Sequence, residues 1–138
     1  LPQSDINDRL TPRAWPETAL RHTQAYVYAY TGDSTRAEQA QDAALRLYPS
    51  TMPRQRAQIE LLRATTLVRQ GRLGEGVHHA AAPLERLDPH QRTHAVIRGA
   101  HIVAESIPGS ALNQSPVQNY REHLAALQSS TAQNRTLL

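Results

Sequence analysis

The sequence predicts an all-α chain, an α-solenoid of about three stacked antiparallel helix hairpins with six helices. Three observations carry this. Residues 25–49 and 64–89 repeat one pattern at a period of about forty residues: small or apolar helix residues, a glycine turn, a second helical run and a closing proline. Apolar residues such as Val96, Ala100, Val103 and Ile107 recur at the three-to-four spacing of a buried helical stripe. Prolines stand where helices start and glycines where they stop, as the unsatisfied groups of helix ends favour.

Residues 1–14 are polar, carry Pro2 and Pro12, and read as a flexible lead-in. A first helix follows from Pro16 to Thr31, ended by Gly32-Asp33. Asp33 or Ser34 caps a second helix that runs to Tyr48 and is halted by Pro49. Ser50-Thr51 and Pro53 open a third helix with Ile59, Leu62, Ala64, Leu67 and Val68 on its buried side, stopping at Gly71. The fourth, from Leu73 to Leu87, begins with the weak helix formers Gly74 and Gly76. Pro83 predicts a kink or break within it near His79. Asp88-Pro89 starts a fifth helix ending before Pro108-Gly109, and Ser115-Pro116-Val117-Gln118 reads as a capping box opening the sixth. Val117, Tyr120, Leu124 and Leu127 share one face of that helix, and residues 129–138 read as a disordered tail. The repeat domain is thus expected over residues 15–128.

Composition narrows the function classes. A chain of 138 residues suits one domain with a single core. Without cysteine it has no disulfide, thiol nucleophile or cysteine-bound zinc, which fits a reducing, cytoplasmic setting. No apolar run approaches the roughly 18 residues of a membrane span. All 15 basic residues are arginine, and phenylalanine is absent, a bias that points to a GC-rich genome of actinobacterial type. The net charge is +3, yet the arginines stand singly among 12 carboxylates and form no run, so direct nucleic-acid contact by this segment is not expected. The chain opens on Leu1, which reads as a piece of a processed or longer protein.

Ala25, Tyr28, Gly32, Asp33, Ala37, Ala44, Leu45 and Pro49 stand where a tetratricopeptide repeat carries its small residues, aromatic, turn glycine, acidic residue and closing proline. The chain therefore resembles a tetratricopeptide-repeat (TPR-like) domain over roughly residues 16–128, which implies a right-handed solenoid. Small residues at Ala25, Ala37 and Ala44 suit two helices that cross closely, with Tyr28 and Leu45 filling the space beside them. The second copy keeps Ala64, Leu67, Gly71 and Leu84, displaces its proline by one to Pro89, and has Gly76 and Pro83 where alanines are expected. The third is centred on Ala100 and Val103. Ala-Tyr-Thr-Gly-Asp followed by Ala-Leu-Arg-Leu-Tyr-Pro also resembles the C-terminal repeat regions of actinobacterial Cro/repressor-type (XRE) helix-turn-helix regulators. No helix-turn-helix segment is present, so that resemblance implies the regulatory half of such a protein.

In a tetratricopeptide hairpin the first helix lines the concave surface. The resemblance therefore implies a groove made by His22, Tyr26 and Tyr30, by Leu61, Thr65 and Arg69, and by Arg98, His101 and Glu105. Tyrosine with arginine and histidine suits a peptide or a small anionic ligand through stacking and charge-assisted hydrogen bonds. The lysine and asparagine clamp for chaperone tails is missing from the matching positions.

Other constellations carry less. His90, His94 and His101 recur at helical spacing, but His101 lies about 10 Å beyond His94 along a helix axis, and no His-Glu-x-x-His motif completes a metal site. His78 and His79 diverge by about 100° on a helix. No Gly-x-Ser-x-Gly elbow is present, and the glycines at Gly71, Gly74 and Gly76 lack the strand and lysine of a phosphate loop. Glu38 and Asp42 sit one turn apart on an exposed helix face. The chain is thus expected to be non-catalytic and without metal or cofactor. It reads as a protein-interaction or ligand-sensing module, the regulatory or dimerising part of a bacterial transcriptional regulator, or alternatively a free-standing adaptor or inhibitor. Trp15, Leu20 and the tail leucines Leu137 and Leu138 suggest an unfinished end, and hence a homodimer or docking on another domain.

Overall fold

The computed structural model describes residues 15–137, and the expected lead-in, the Trp15 side chain and Leu138 lie outside the described residues. Among these the chain is all-helical: α1 (Trp15–Thr31), α2 (Ser34–Leu47), α3 (Pro53–Arg69), α4 (Leu73–Arg86), α5 (His94–Glu105) and α6 (Ser115–Leu137), with short 3-10 turns at Pro89–Gln91 and Gly109–Ala111. None of these helices is long and apolar enough to cross a membrane.

The turns explain why the chain doubles back. Gly32 and Gly71 adopt φ of 81° and 84°, a left-handed conformation that ends α1 and α3 and that side-chain-bearing residues rarely adopt. The Asp33 carboxylate then accepts the Arg36 N–H at 3.1 Å and caps α2, a bond that contributes about 1 kcal/mol. Pro53 opens α3 behind Met52, which makes no side-chain cap.

α1 packs along α2 and α3 along α4. Ala25, Ala37 and Ala44 are fully buried, and Tyr28 and Leu45 pack beside a small core that also holds Ala29, Ile59 and Leu62. α3 is the central helix, touching α1, α2, α4 and α5. It accordingly buries residues on nearly every side: Ile59 and Leu62 meet the first pair, while Ala57, Leu61, Ala64 and Val68 join a larger core with α4, α5 and α6. Leu67, expected on the buried stripe, is half-buried.

Four expectations are corrected. α4 is continuous from Leu73 to Arg86, with no break near His79. Pro83 lies in its last turn, where it removes one hydrogen bond, and its buried ring adds to the core. The fifth helix begins at His94, because Asp88, Pro89 and Gln91 close a capping box on a 3-10 turn and Thr93 caps α5 instead. Helical backbone also extends through residues 129–137, read from sequence as tail. The third pair is looser than a repeat implies: α6 packs mainly on α4 rather than on α5, and is pinned to α5 by the Tyr120 hydroxyl, which donates to the Ala100 carbonyl at 2.7 Å.

Three arginines serve the fold. Arg56 Nη1 donates to the Leu45 and Tyr48 carbonyls at 2.8 Å each, Arg69 Nη1 to the Ala29 and Tyr30 carbonyls at 3.3 and 2.8 Å, and Arg92 Nε to the Leu84 carbonyl at 2.9 Å. Each cation satisfies carbonyls left free at the C-terminal end of a neighbouring helix, where the helix dipole also favours positive charge.

Candidate functional site

α1, α3 and α5, the first helices of the three pairs, enclose a groove of about 280 Å³. α1 contributes His22 and Tyr26, and α3 contributes Gln58, Leu61, Leu62 and Thr65. From α5 come His94, Ala95, Arg98, Gly99 and Ile102. The floor is closely packed: Leu61 and Thr65 are each 1% exposed, and the Thr65 hydroxyl is spent on the Leu61 carbonyl at 3.2 Å. Gly99 sets the depth. A β-carbon there would stand 3.2 Å from Leu61 Cδ1, so the missing side chain lets α5 approach α3.

Five of the sequence-predicted residues, His22, Tyr26, Leu61, Thr65 and Arg98, meet in this groove. The other four have different contacts. The Tyr30 ring lies 4.6 Å from that of Tyr26 and carries the Arg69 guanidinium 4.9 Å above its centroid, while Arg69 holds the end of α1. His101 Nε2 faces α6, 2.6 Å from Gln128 Nε2. Glu105 pairs with Arg98 at 3.4 Å rather than lining the groove. On α5 the lining face is therefore 94, 95, 98, 99 and 102, one residue away from a register that runs through His101. Leu62, Ala95, Gly99 and Ile102 escape a reading that looks for polar and aromatic side chains, whereas Gln58 and His94, one turn before Leu61 and Arg98, are polar and lie outside the predicted set. Ala95 and Ile102 could have been found from Arg98 alone, as its helical neighbours three residues before and four after.

The electrostatics run one way. Among the described residues the lining contains Arg98, His22 and His94 and no carboxylate. Burial lowers the His22 pKa, so its ring is neutral at pH 7, and its Nδ1 shares a 3.0 Å hydrogen bond with the Tyr48 hydroxyl, whose own pKa burial raises. Burial first, then the hydrogen bond and charge of Tyr26, push the Tyr30 phenol up to about 12 against the pull of Arg69 and Arg98.

A second hollow, of about 460 Å³ between α4 and α6, mixes Glu85 with His78 and His123 and has less single-signed chemistry. His90 falls in the 3-10 turn before α5, so His90 and His94 do not share one helix. Comparison with family models, with curated proteins and with solved structures gave no match.

Proposed function

We propose that the chain is a non-catalytic ligand-sensing module, a TPR-like right-handed solenoid that binds through the groove between α1, α3 and α5. The observation that supports this is the convergence of the first helix of each pair on one hollow with a largely apolar floor and a basic rim. Such a module suits the regulatory half of a bacterial transcriptional regulator, the group to which the repeat is similar. Ligand binding would act there by favouring one packing of the helices over another.

The reading is tested by screening small acids, neutral fragments and short peptides against the ¹⁵N-labelled chain. Ligands are expected to shift backbone amides of α1, α3 and α5 around Thr65 and Arg98. Hits that map consistently elsewhere overturn it.

One observation favours a second reading, an adaptor or homodimer that docks through α1. Leu20 and Val27 lie two turns apart on the side of α1 away from its buried alanines and are 53% and 45% exposed. Sedimentation of the wild type beside a Leu20→Glu, Val27→Glu variant tests it, and a wild-type monomer at high micromolar concentration rules out the dimer.

A further inference from the structure

We infer that the groove takes a small free acid, one aromatic or branched apolar body bearing a single carboxylate, with the carboxylate on Arg98 and the body on Leu61, Leu62 and Gly99. This deepens the reading of the groove as the binding site and rests on it.

Charge selects the acid. Arg98 stands at the rim with His94 one turn before it on α5, and among the described residues no Asp or Glu lines the groove to repel an anion. Its ion pair with Glu105 is long, at 3.4 Å, and the two side chains are 59% and 61% exposed, so solvent screens it and an incoming carboxylate can replace it. A guanidinium can grip a carboxylate through two parallel hydrogen bonds.

The floor selects an apolar body. Thr65, its buried polar residue, has its hydroxyl proton committed to Leu61, and around it stand the hydrocarbon groups of Leu61, Leu62, Ala95 and Ile102. A polar body seated there would lose hydration without recovering hydrogen bonds.

Size and reach select a small molecule over an extended peptide. A volume of about 280 Å³ lies just below the roughly 300–1,000 Å³ of most small-molecule sites. The side chains that would continue a peptide track are engaged within the fold, Arg69 on the Ala29 and Tyr30 carbonyls and His101 against Gln128.

The test titrates the full chain with 3-phenylpropionate, its neutral amide, and the tetrapeptide Ala-Ala-Ala-Phe, by calorimetry and by ¹H–¹⁵N NMR. The acid is expected to bind about tenfold tighter than the amide and no weaker than the tetrapeptide. Arg98→Gln should remove that preference and Arg98→Lys keep part of it. Ala95→Trp, at an exposed lining position, should block every probe; unchanged dispersion of the amide spectrum establishes that each variant is folded. Equal affinity for acid and amide, or a preference that survives Arg98→Gln, overturns the inference while leaving the groove as a binding site. Tighter binding of the tetrapeptide, with shifts reaching Arg69 and His101, does the same in favour of a peptide. If no probe shifts the groove amides at millimolar concentration, the inference and the underlying reading fall together.

Discussion

A β-carbon added at Gly76 would lie 2.6 Å from Val68 Cγ2 and 3.1 Å from both the Ala64 carbonyl oxygen and the Val68 nitrogen. Gly76 is therefore the contact point where α4 crosses α3, and its low helix propensity is the cost of that approach. In an open helix Gly→Ala gains up to about 1 kcal/mol. Here two of the three obstacles are backbone atoms and the third belongs to a stiff β-branched side chain, so Gly76→Ala is expected to destabilise by about 1–3 kcal/mol. Gly74, two residues earlier with nothing within 4 Å of its β-carbon position, is the control: Gly74→Ala should be neutral or stabilising. Urea midpoints of the two variants with unchanged m-values decide the matter.

Gln41 and Thr66 form a buried polar bridge between α2 and α3. The fully buried Gln41 donates through Nε2 to Thr66 Oγ1 at 3.1 Å and accepts from Arg63 Nε at 3.2 Å, while Thr66 passes its own proton to the Leu62 carbonyl. Gln41→Ala removes the bridge and leaves a cavity, a loss expected at about 2–4 kcal/mol. Gln41→Leu fills the space and should lose about half as much. Because the partners share one bond, the Gln41→Leu, Thr66→Val double variant should be more stable than the sum of the single changes predicts, by about 1 kcal/mol in a thermodynamic cycle.

Helices α1 to α4 were legible because their signals are local. Gly32 and Gly71 end helices in a conformation that suits glycine, Asp33 supplies a cap within three residues, and Ala25, Ala37 and Ala44 mark a close crossing that is fully buried. Gly76 was misjudged as a weak helix start because its reason lies across the interface in Val68. The start of α5 was misplaced because Asp88-Pro89 is a sound cap whose helix is only a 3-10 turn, and the true cap, Thr93, follows directly. Five groove residues were found, but the α5 face pivots on Arg98 with Ala95, Gly99 and Ile102 rather than His101, and small residues that form a wall by their absence leave no chemical mark in a sequence.

Acid should weaken the fold through His22 and His79, both held below the ordinary value of 6.5. Burial is the main cause for each, and at His79 the nearby Glu60 opposes it while Arg63, Arg86 and His78 reinforce it. Above about pH 6.5 the rings are neutral in folded and unfolded chain alike, and their contribution is fully present. As pH falls from 6.5 toward the lower folded values, the unfolded chain binds more protons, so stability drops and then levels off. Thermal midpoints should decline between pH 7 and pH 5, and the double variant His22→Gln, His79→Gln should show a flatter profile. Ring-proton NMR titrations with both midpoints at or above 6.5 would remove the explanation.

Arg69 contributes to stability by fastening α1 to α3 rather than by waiting for a ligand. Its Nη1 donates to the Ala29 and Tyr30 carbonyls, at 3.3 and 2.8 Å, in the last turn of α1, while the guanidinium carbon lies 4.9 Å from the centroid of the Tyr30 ring. Methionine at this position keeps the stem but leaves the carbonyls to water and the helix dipole without its cation. Because the site is exposed, the loss expected for Arg69→Met is about 1 kcal/mol. Lysine restores the charge but not the flat cation that stacks on tyrosine, so Arg69→Lys should recover part of it. The lost stability should be local: hydrogen exchange of amides near the C-terminal end of α1 should accelerate before those of α4 and α6. Uniform acceleration across the chain would show that Arg69 supports the global fold instead, and unchanged exchange in α1 would show that its contacts contribute nothing measurable.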